Sequence, residues 1–113
     1  MEIGVNKVGN VDLLYPSGRL DAYAAAEMEA KLNGVMNKTP IKLIVNLQKL
    51  DYISSSGLRV LMAALKKARK DQGDVRLACL QPYVKEVFDI AGFAQLFKIY
   101  DQEEAAVNSF KQG

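Results

Sequence analysis

Three consecutive serines, Ser54, Ser55 and Ser56, are the residues whose type and spacing point most directly to chemistry. They stand between a strand-like apolar run and a helical pattern, and Gly57 follows them at once. A serine at a helix start accepts a hydrogen bond from one of the first backbone N–H groups, which have no partner within the helix. One cap requires one hydroxyl. The serines beyond the one needed for a cap lie beside Gly57, which has no side chain. They predict a hydroxyl that is accessible to a partner or a modifying enzyme.

This serine turn, Ser54–Ser56, fits none of the common enzyme motifs. The chain has no histidine, which removes the usual general base and a frequent zinc ligand. A phosphate loop, an esterase elbow and a dinucleotide fingerprint each need glycines at spacings that the sequence lacks. A phosphate-receiving aspartate with acidic metal ligands is also missing, since Asn46 and Asp51 do not make that set. We therefore predict a protein that is not an enzyme and that needs no metal or cofactor.

Length and composition predict one globular domain, residues 1–113. That length can bury a core without disulfides or metals. The N-terminus lacks a basic segment followed by an apolar run, and no stretch approaches the ~18 apolar residues that span a bilayer. The net charge of +2 is too small and too evenly mixed for a nucleic-acid surface. We expect a cytoplasmic protein without nucleic-acid binding or membrane insertion.

Two other groups of residues favour structural interpretations. Cys79 lies in an apolar strand-like run, which is typical of a small buried side chain rather than a reactive thiol. A basic cluster occupies the last turns of the second predicted helix, where cations complement the helix dipole. We interpret this cluster as a solvated helix end rather than a site for an anionic ligand. Its members are Lys66, Lys67, Arg69 and Lys70.

The hydrophobic pattern predicts the elements that must position the serine turn. Strands are predicted at 3–7, 11–15, 41–47, 75–80 and 97–100, with Pro16-Ser17-Gly18 ending the second strand. Helices are predicted to follow the last four of these strands. The order β-β-α-β-α-β-α-β-α predicts an α/β fold with a mixed, mostly parallel sheet and an antiparallel hairpin at its N-terminal edge.

In such a sheet, partners meet the protein outside the carboxyl ends of the parallel strands. The serine turn is predicted there, and so is the turn from Gly18 to Tyr23. Asp21 suits the start of the first helix, either as a cap or as a partner contact, and the two roles are compatible. We expect the two turns to form one contiguous surface.

At three places the sequence resembles the STAS domains, the sulfate-transporter and anti-sigma-factor-antagonist family. The segment from Asn46 to Leu58 is similar to the central family signature. Gly18-Arg19-Leu20-Asp21 is similar to the family's Gly-x-Leu-Asp turn, and the segment from Val87 to Phe93 is similar to its third-helix ending. The three segments stand in the family's order over nearly the full chain, and they imply a STAS-like fold.

The resemblance also implies a function. Stand-alone bacterial members bind an anti-sigma factor that is itself a serine kinase, which frees a sigma factor until phosphorylation ends the binding. Their signature is Asp-Ser-Ser/Thr/Ala-Gly-Leu with the first serine as phosphoacceptor, which corresponds to Ser55, while Ser54 stands in place of the aspartate. The resemblance thus predicts an anti-sigma factor antagonist with Ser55 as phosphoacceptor. The predicted partner-binding surface consists of Asp21, Tyr23, Ser54, Ser56, Gly57, Leu58 and Arg59.

Three alternatives stay open from the sequence. The serines could cap the helix and do nothing else. The chain could be a STAS subunit of a larger complex, such as a stressosome-like scaffold or a lipid-transport assembly, without a phosphorylation cycle. The serine turn could also hold a small anionic ligand or a nucleotide.

Overall fold

The structure, a computed structural model, describes residues 1–111, which contain six strands and four α-helices. The strands are β1 (Glu2–Val8), β2 (Val11–Leu20), β3 (Lys42–Asn46), β4 (Leu50–Ile53), β5 (Asp74–Ala78) and β6 (Ile99–Tyr100). The helices are α1 (Ala22–Val35), α2 (Ser55–Lys70), α3 (Pro82–Ile90) and α4 (Glu103–Lys111), with a 3-10 turn at Phe93–Gln95 before β6.

The strands form one mixed sheet in the order β1-β2-β3-β5-β6, with β4 paired to β2. β1 and β2 form an antiparallel hairpin, and the β2–β3, β2–β4, β3–β5 and β5–β6 pairs are parallel. The predicted fold class, including the antiparallel edge hairpin, is confirmed. Parallel neighbours require long crossovers, which the helices supply.

The region between β2 and α2 differs in detail from the sequence prediction. β2 does not end at Pro16 but continues to Leu20, because it pairs with β3 through residues 12–14 and then with β4 through residues 18–20. Pro16 falls between these two parallel segments, where a residue without an N–H group is best tolerated. β4 was not predicted, since its buried residues Leu50 and Ile53 are three apart and do not alternate.

Side chains alternate across the sheet into two hydrophobic layers. Leu43 and Val45 of β3 join the large layer that includes buried residues of α1, α2 and α3. Ile44 points the other way and packs with Ala106 and Val107 of α4. Three helices therefore cover one face and α4 covers the other. This arrangement places the first turns of α1 and α2 at the carboxyl edge of the sheet.

Candidate functional site

Pairing of β2 with β4 brings the two predicted turns together. Leu20 lies opposite Ile53 in this parallel pair, so the residues that follow them, Asp21 and Ser54, begin α1 and α2 side by side. The backbone N–H of Ser54 donates to the Leu20 carbonyl at 2.9 Å, which fixes the junction. The structure thus brings the Gly18–Tyr23 turn and the serine turn onto one continuous edge.

Ser54 is the N-cap of α2, and its side chain is fully used. The Oγ accepts from the Gly57 N–H at 3.1 Å and donates to the Leu20 carbonyl at 3.1 Å. A carboxylate could accept the first bond but could not donate the second. The hydroxyl therefore adds a contact to the Leu20 carbonyl while keeping the cap.

Ser55 is the first residue of α2 and is exposed, whereas Ser56 is half-buried. Within residues 1–111, no side-chain hydrogen bond is formed by either hydroxyl. Ser55 stands where backbone N–H groups lack acceptors within the helix and where the dipole favours negative charge. The hydroxyl is therefore accessible, and its surroundings would stabilise an added anion.

Asp21 and Tyr23 supply the neighbouring part of the edge. Asp21 is the N-cap of α1, with its Oδ1 accepting from the Ala24 N–H at 2.9 Å, which confirms the predicted cap. Tyr23 is the second residue of α1, and its side chain is 88% exposed. An aromatic side chain so exposed offers a large apolar contact area to a partner.

Two members of the predicted surface lie beneath it instead. Leu58 is 8% exposed and packs in the main core, so it cannot present a side chain to a partner. Gly57 is buried, and a Cβ there would lie 2.8 Å from the Leu20 Cγ and 3.0 Å from the Ile53 Cγ1. The glycine does not open a space beside the serine. It allows the start of α2 to approach β2 and β4 closely.

Arg59 and a pair that the sequence did not reveal complete this edge. Arg59 is exposed one turn after Ser55. On the strands below, the Arg19 guanidinium lies 4.2 Å from the centre of the Tyr52 ring, a cation–π contact between paired residues of β2 and β4. This contact depends on β4, which has too irregular a pattern to be predicted. The remaining residues of the predicted partner-binding surface, together with Ser55, are called the docking surface below: Asp21, Tyr23, Ser54–Ser56 and Arg59.

A cavity of about 760 Å³ opens on the α4 side of the same edge. Its most buried polar group, Asn46, accepts from the Gln48 N–H and donates to Glu103, so both ends of the amide are used. Cys79 is half-buried in the lining. Burial and the neighbouring Glu103 carboxylate raise the pKa of Tyr15. Asn46 and Tyr15 thus join the strands to Glu103 of α4.

Neither a metal cluster nor a membrane span is found in the described part of the chain. No group of three or more acidic, cysteine or histidine side chains within residues 1–111 could hold a metal ion. None of the helices there is long and apolar enough to cross a bilayer.

A sequence model described as the STAS domain matches residues 2–106. The chain belongs to the STAS domain family. The resemblance drawn from the three segments is thereby confirmed. The match ends within α4, so it includes the whole sheet and the docking surface.

Curated relatives of this STAS chain carry the names of regulators. BtrV of Bordetella bronchiseptica (strain RB50), a candidate anti-sigma factor antagonist, is 35% identical over 111 residues, which are 98% of this chain and 96% of BtrV. The anti-sigma-B factor antagonist of Listeria monocytogenes (strain EGD-e) is 28% identical over 103 residues, or 91% of this chain and 90% of the relative.

Solved structures share the fold. The anti-sigma factor antagonist SpoIIAA in its unphosphorylated form matches with a TM-score of 0.84 and 20% identity, covering 99% of this chain and 98% of SpoIIAA. The Bacillus SpoIIAA in its phosphorylated form matches with a TM-score of 0.74 and 20% identity, covering 96% and 99%. At this identity the likeness shows the STAS fold alone.

Proposed function

We propose that this chain is a cytoplasmic anti-sigma factor antagonist. It binds an anti-sigma factor of the serine-kinase type through the docking surface and thereby frees a sigma factor. The names of relatives that match over nearly the full chain support this class of function. The observation that carries the proposal is the exposed Ser55 hydroxyl beside the exposed Tyr23 at a carboxyl edge of the sheet.

Phosphorylation of Ser55 ends the binding. The partner transfers the γ-phosphoryl group of ATP to the Ser55 Oγ, so an O–P bond forms, the bond to ADP breaks and the hydroxyl proton leaves. The phosphate adds about −1.5 to −2 charges at neutral pH. The N-terminus of α2 tolerates that charge, so the fold persists. A docked partner instead meets a hydrated dianion and loses affinity through repulsion and desolvation.

Charge variants test this function. An anti-sigma factor of the serine-kinase type from the source organism is titrated with the parent chain, Ser55→Asp and Asn37→Asp. Asn37 lies in the exposed loop between α1 and β3, at the opposite edge of the sheet, and its variant adds the same charge. We expect Ser55→Asp to weaken binding at least about tenfold, which corresponds to about 1.4 kcal/mol, and Asn37→Asp to leave it unchanged. Equal binding by all three proteins contradicts the proposal.

Direct modification is the second arm. Incubation of the parent chain with the kinase and ATP should add about 80 Da, the mass of one phosphoryl group, and Ser55→Ala should gain none. A gain of the same size in Ser55→Ala places the phosphate elsewhere and contradicts the assignment of Ser55.

A second candidate is a STAS subunit of a larger assembly, either stressosome-like or lipid-transporting, without a phosphorylation cycle. The serine at position 54 favours it, because the signature of kinase-switched members has an aspartate there. For this candidate, Ser55→Asp binds the native partner as tightly as the parent does, and no phosphoryl group is added.

A further inference from the structure

Arg59 is the charged side chain nearest along α2 to the proposed phosphoacceptor. Residues four apart on a helix lie on the same side, so the side chains of Ser55 and Arg59 are neighbours. The Arg59 Nε lies 3.5 Å from the Ser55 carbonyl oxygen, which means that the guanidinium folds back over the first turn of the helix. Both residues are exposed. A group added to the Ser55 Oγ would therefore be within reach of this cation.

The first turn of α2 carries no carboxylate that could neutralise Arg59. Within residues 1–111, Arg59 forms no ion pair. The family's aspartate would stand directly before the phosphoacceptor, where Ser54 stands instead. Of the nearby charged groups, Asp21 is engaged by the Ala24 N–H, and Arg19 and Asp51 lie on the strands. The turn thus offers a cation without a counter-charge.

We infer that Arg59 pairs with the phosphate of phosphorylated Ser55 within the same chain. This inference rests on the proposed function, with Ser55 as the modified residue. It adds how the phosphate changes the docking surface. A phosphate on the first helical residue is stabilised by the dipole, and a guanidinium one turn away adds a charge-assisted hydrogen bond. The phosphate is thereby held against its own helix, and Arg59 leaves the docking surface that it shares with Tyr23. Phosphorylation removes a partner contact as well as adding a repulsive charge.

The test needs no partner protein. Phosphoserine is installed at position 55 during translation, and the second pKa of the phosphate is measured by phosphorus NMR titration. A paired guanidinium stabilises the dianion and lowers this pKa, so Arg59→Gln should raise it by about 0.15–0.4 unit, the size expected of an exposed helical ion pair. Lys66→Gln is the control: it removes an exposed charge of the same helix that lies about 16 Å from Ser55 along the helix axis. Because this separation exceeds the Debye length, Lys66→Gln should shift the phosphate pKa by less than about 0.1 unit.

A conservative variant separates charge from shape. Arg59→Lys keeps the cation and should give a phosphate pKa closer to that of the parent than to that of Arg59→Gln; the reverse order contradicts the pairing. A pKa that is the same in Arg59→Gln as in the parent, or equal shifts in Arg59→Gln and Lys66→Gln, overturns the inference. Failure of the proposed function gives a different result. In that case phosphoserine at position 55 leaves partner binding intact, while Arg59→Gln still raises the phosphate pKa.

Discussion

The two edges of the sheet use their polar residues in opposite ways. At the carboxyl edge, the docking surface presents an exposed hydroxyl, an exposed tyrosine and an arginine without an ion pair among the described residues. At the amino edge, Asp74 is 8% exposed and accepts hydrogen bonds from Arg69 at 3.1 Å, Arg76 at 2.9 Å and its neighbour's N–H at 3.0 Å. At the carboxyl edge Ser55, Tyr23 and Arg59 remain available beside the capping residues Asp21 and Ser54, whereas the Asp74 carboxylate at the amino edge is paired.

The pairing at the amino edge connects four separate parts of the chain. Arg69, at the end of α2, also donates to the Leu96 carbonyl at 2.8 Å. Arg76 of β5 donates to the Ser109 Oγ of α4 at 2.7 Å, and its guanidinium lies 4.0 Å from the centre of the Phe110 ring. A buried carboxylate is retained only when such partners compensate its desolvation. This edge is therefore structural, in contrast to the proposed docking surface.

Removal of the Asp74 carboxylate should have the largest effect. Asp74→Ala leaves two guanidinium groups without their anion, one of them with a side chain only 13% exposed. We expect a loss of about 3 kcal/mol in the free energy of unfolding, measured by urea denaturation. The exposed neighbour Asp71 is the control, and Asp71→Ala should change stability by less than about 0.5 kcal/mol. Equal effects of the two variants would remove the distinction between the edges.

A methyl group at Gly57 should have the next largest effect. Gly57→Ala forces the Cβ against Leu20, which costs about 1–3 kcal/mol by overpacking and is offset by about 1 kcal/mol of helix propensity. Gly34 lies in α1 with open space where its Cβ would be, so Gly34→Ala should instead stabilise by about 0.5–1 kcal/mol. Thermal unfolding of both variants measures this difference in sign. A stabilised Gly57→Ala would mean that α2 does not approach the strands closely.

Replacement of Ser54 should lower the free energy of unfolding by about 1 kcal/mol more than replacement of Ser55 does. Ser54→Ala removes the helix cap and the bond to the Leu20 carbonyl, so it should lower the free energy of unfolding by about 1 kcal/mol. Ser55→Ala removes an exposed hydroxyl and should lie within about 0.5 kcal/mol of the parent. Comparable losses in both variants would show that Ser55 is a structural residue rather than an available one.

The smallest effect concerns alkaline pH and the cavity on the α4 side. The pKa of Tyr15 is raised, so the folded chain holds this proton more tightly than the unfolded chain does. Its contribution to stability is complete below about pH 10, the ordinary tyrosine value, and is lost as pH rises above it. Urea unfolding at several alkaline pH values should therefore show a shallower loss in Tyr15→Phe than in the parent. An unchanged dependence of stability on alkaline pH would mean that Tyr15 does not interact with the paired groups around Glu103.

Features that depend on a few adjacent residues were predictable from the sequence. The Asp21 cap is confirmed, because capping depends on a few adjacent residues. The fold class followed from alternating strand and helix patterns. The exposure of Ser55 followed from its place at the start of a helix.

Features that depend on distant residues were not predictable. β2 passes through Pro16 only because β3 and β4 pair on either side of it. Leu58 was assigned to a surface that the packing of α2 buries. Arg69 was interpreted as part of a solvated cluster, yet it bonds Asp74 and Leu96. In each case a neighbour distant in sequence decides the environment, which a local pattern does not encode.

Hydrogen exchange in the complex with the anti-sigma factor tests the central claim most directly. Apart from the Ala24 and Gly57 N–H groups, which the caps bind, the first amides of α1 and α2 lack acceptors within their helices and exchange readily in the free chain. We predict that binding slows exchange in peptides covering residues 21–24 and 54–59 and leaves residues 71–76 unchanged. Protection confined to residues 71–76 would contradict the account, because the paired amino edge would then be the docking site.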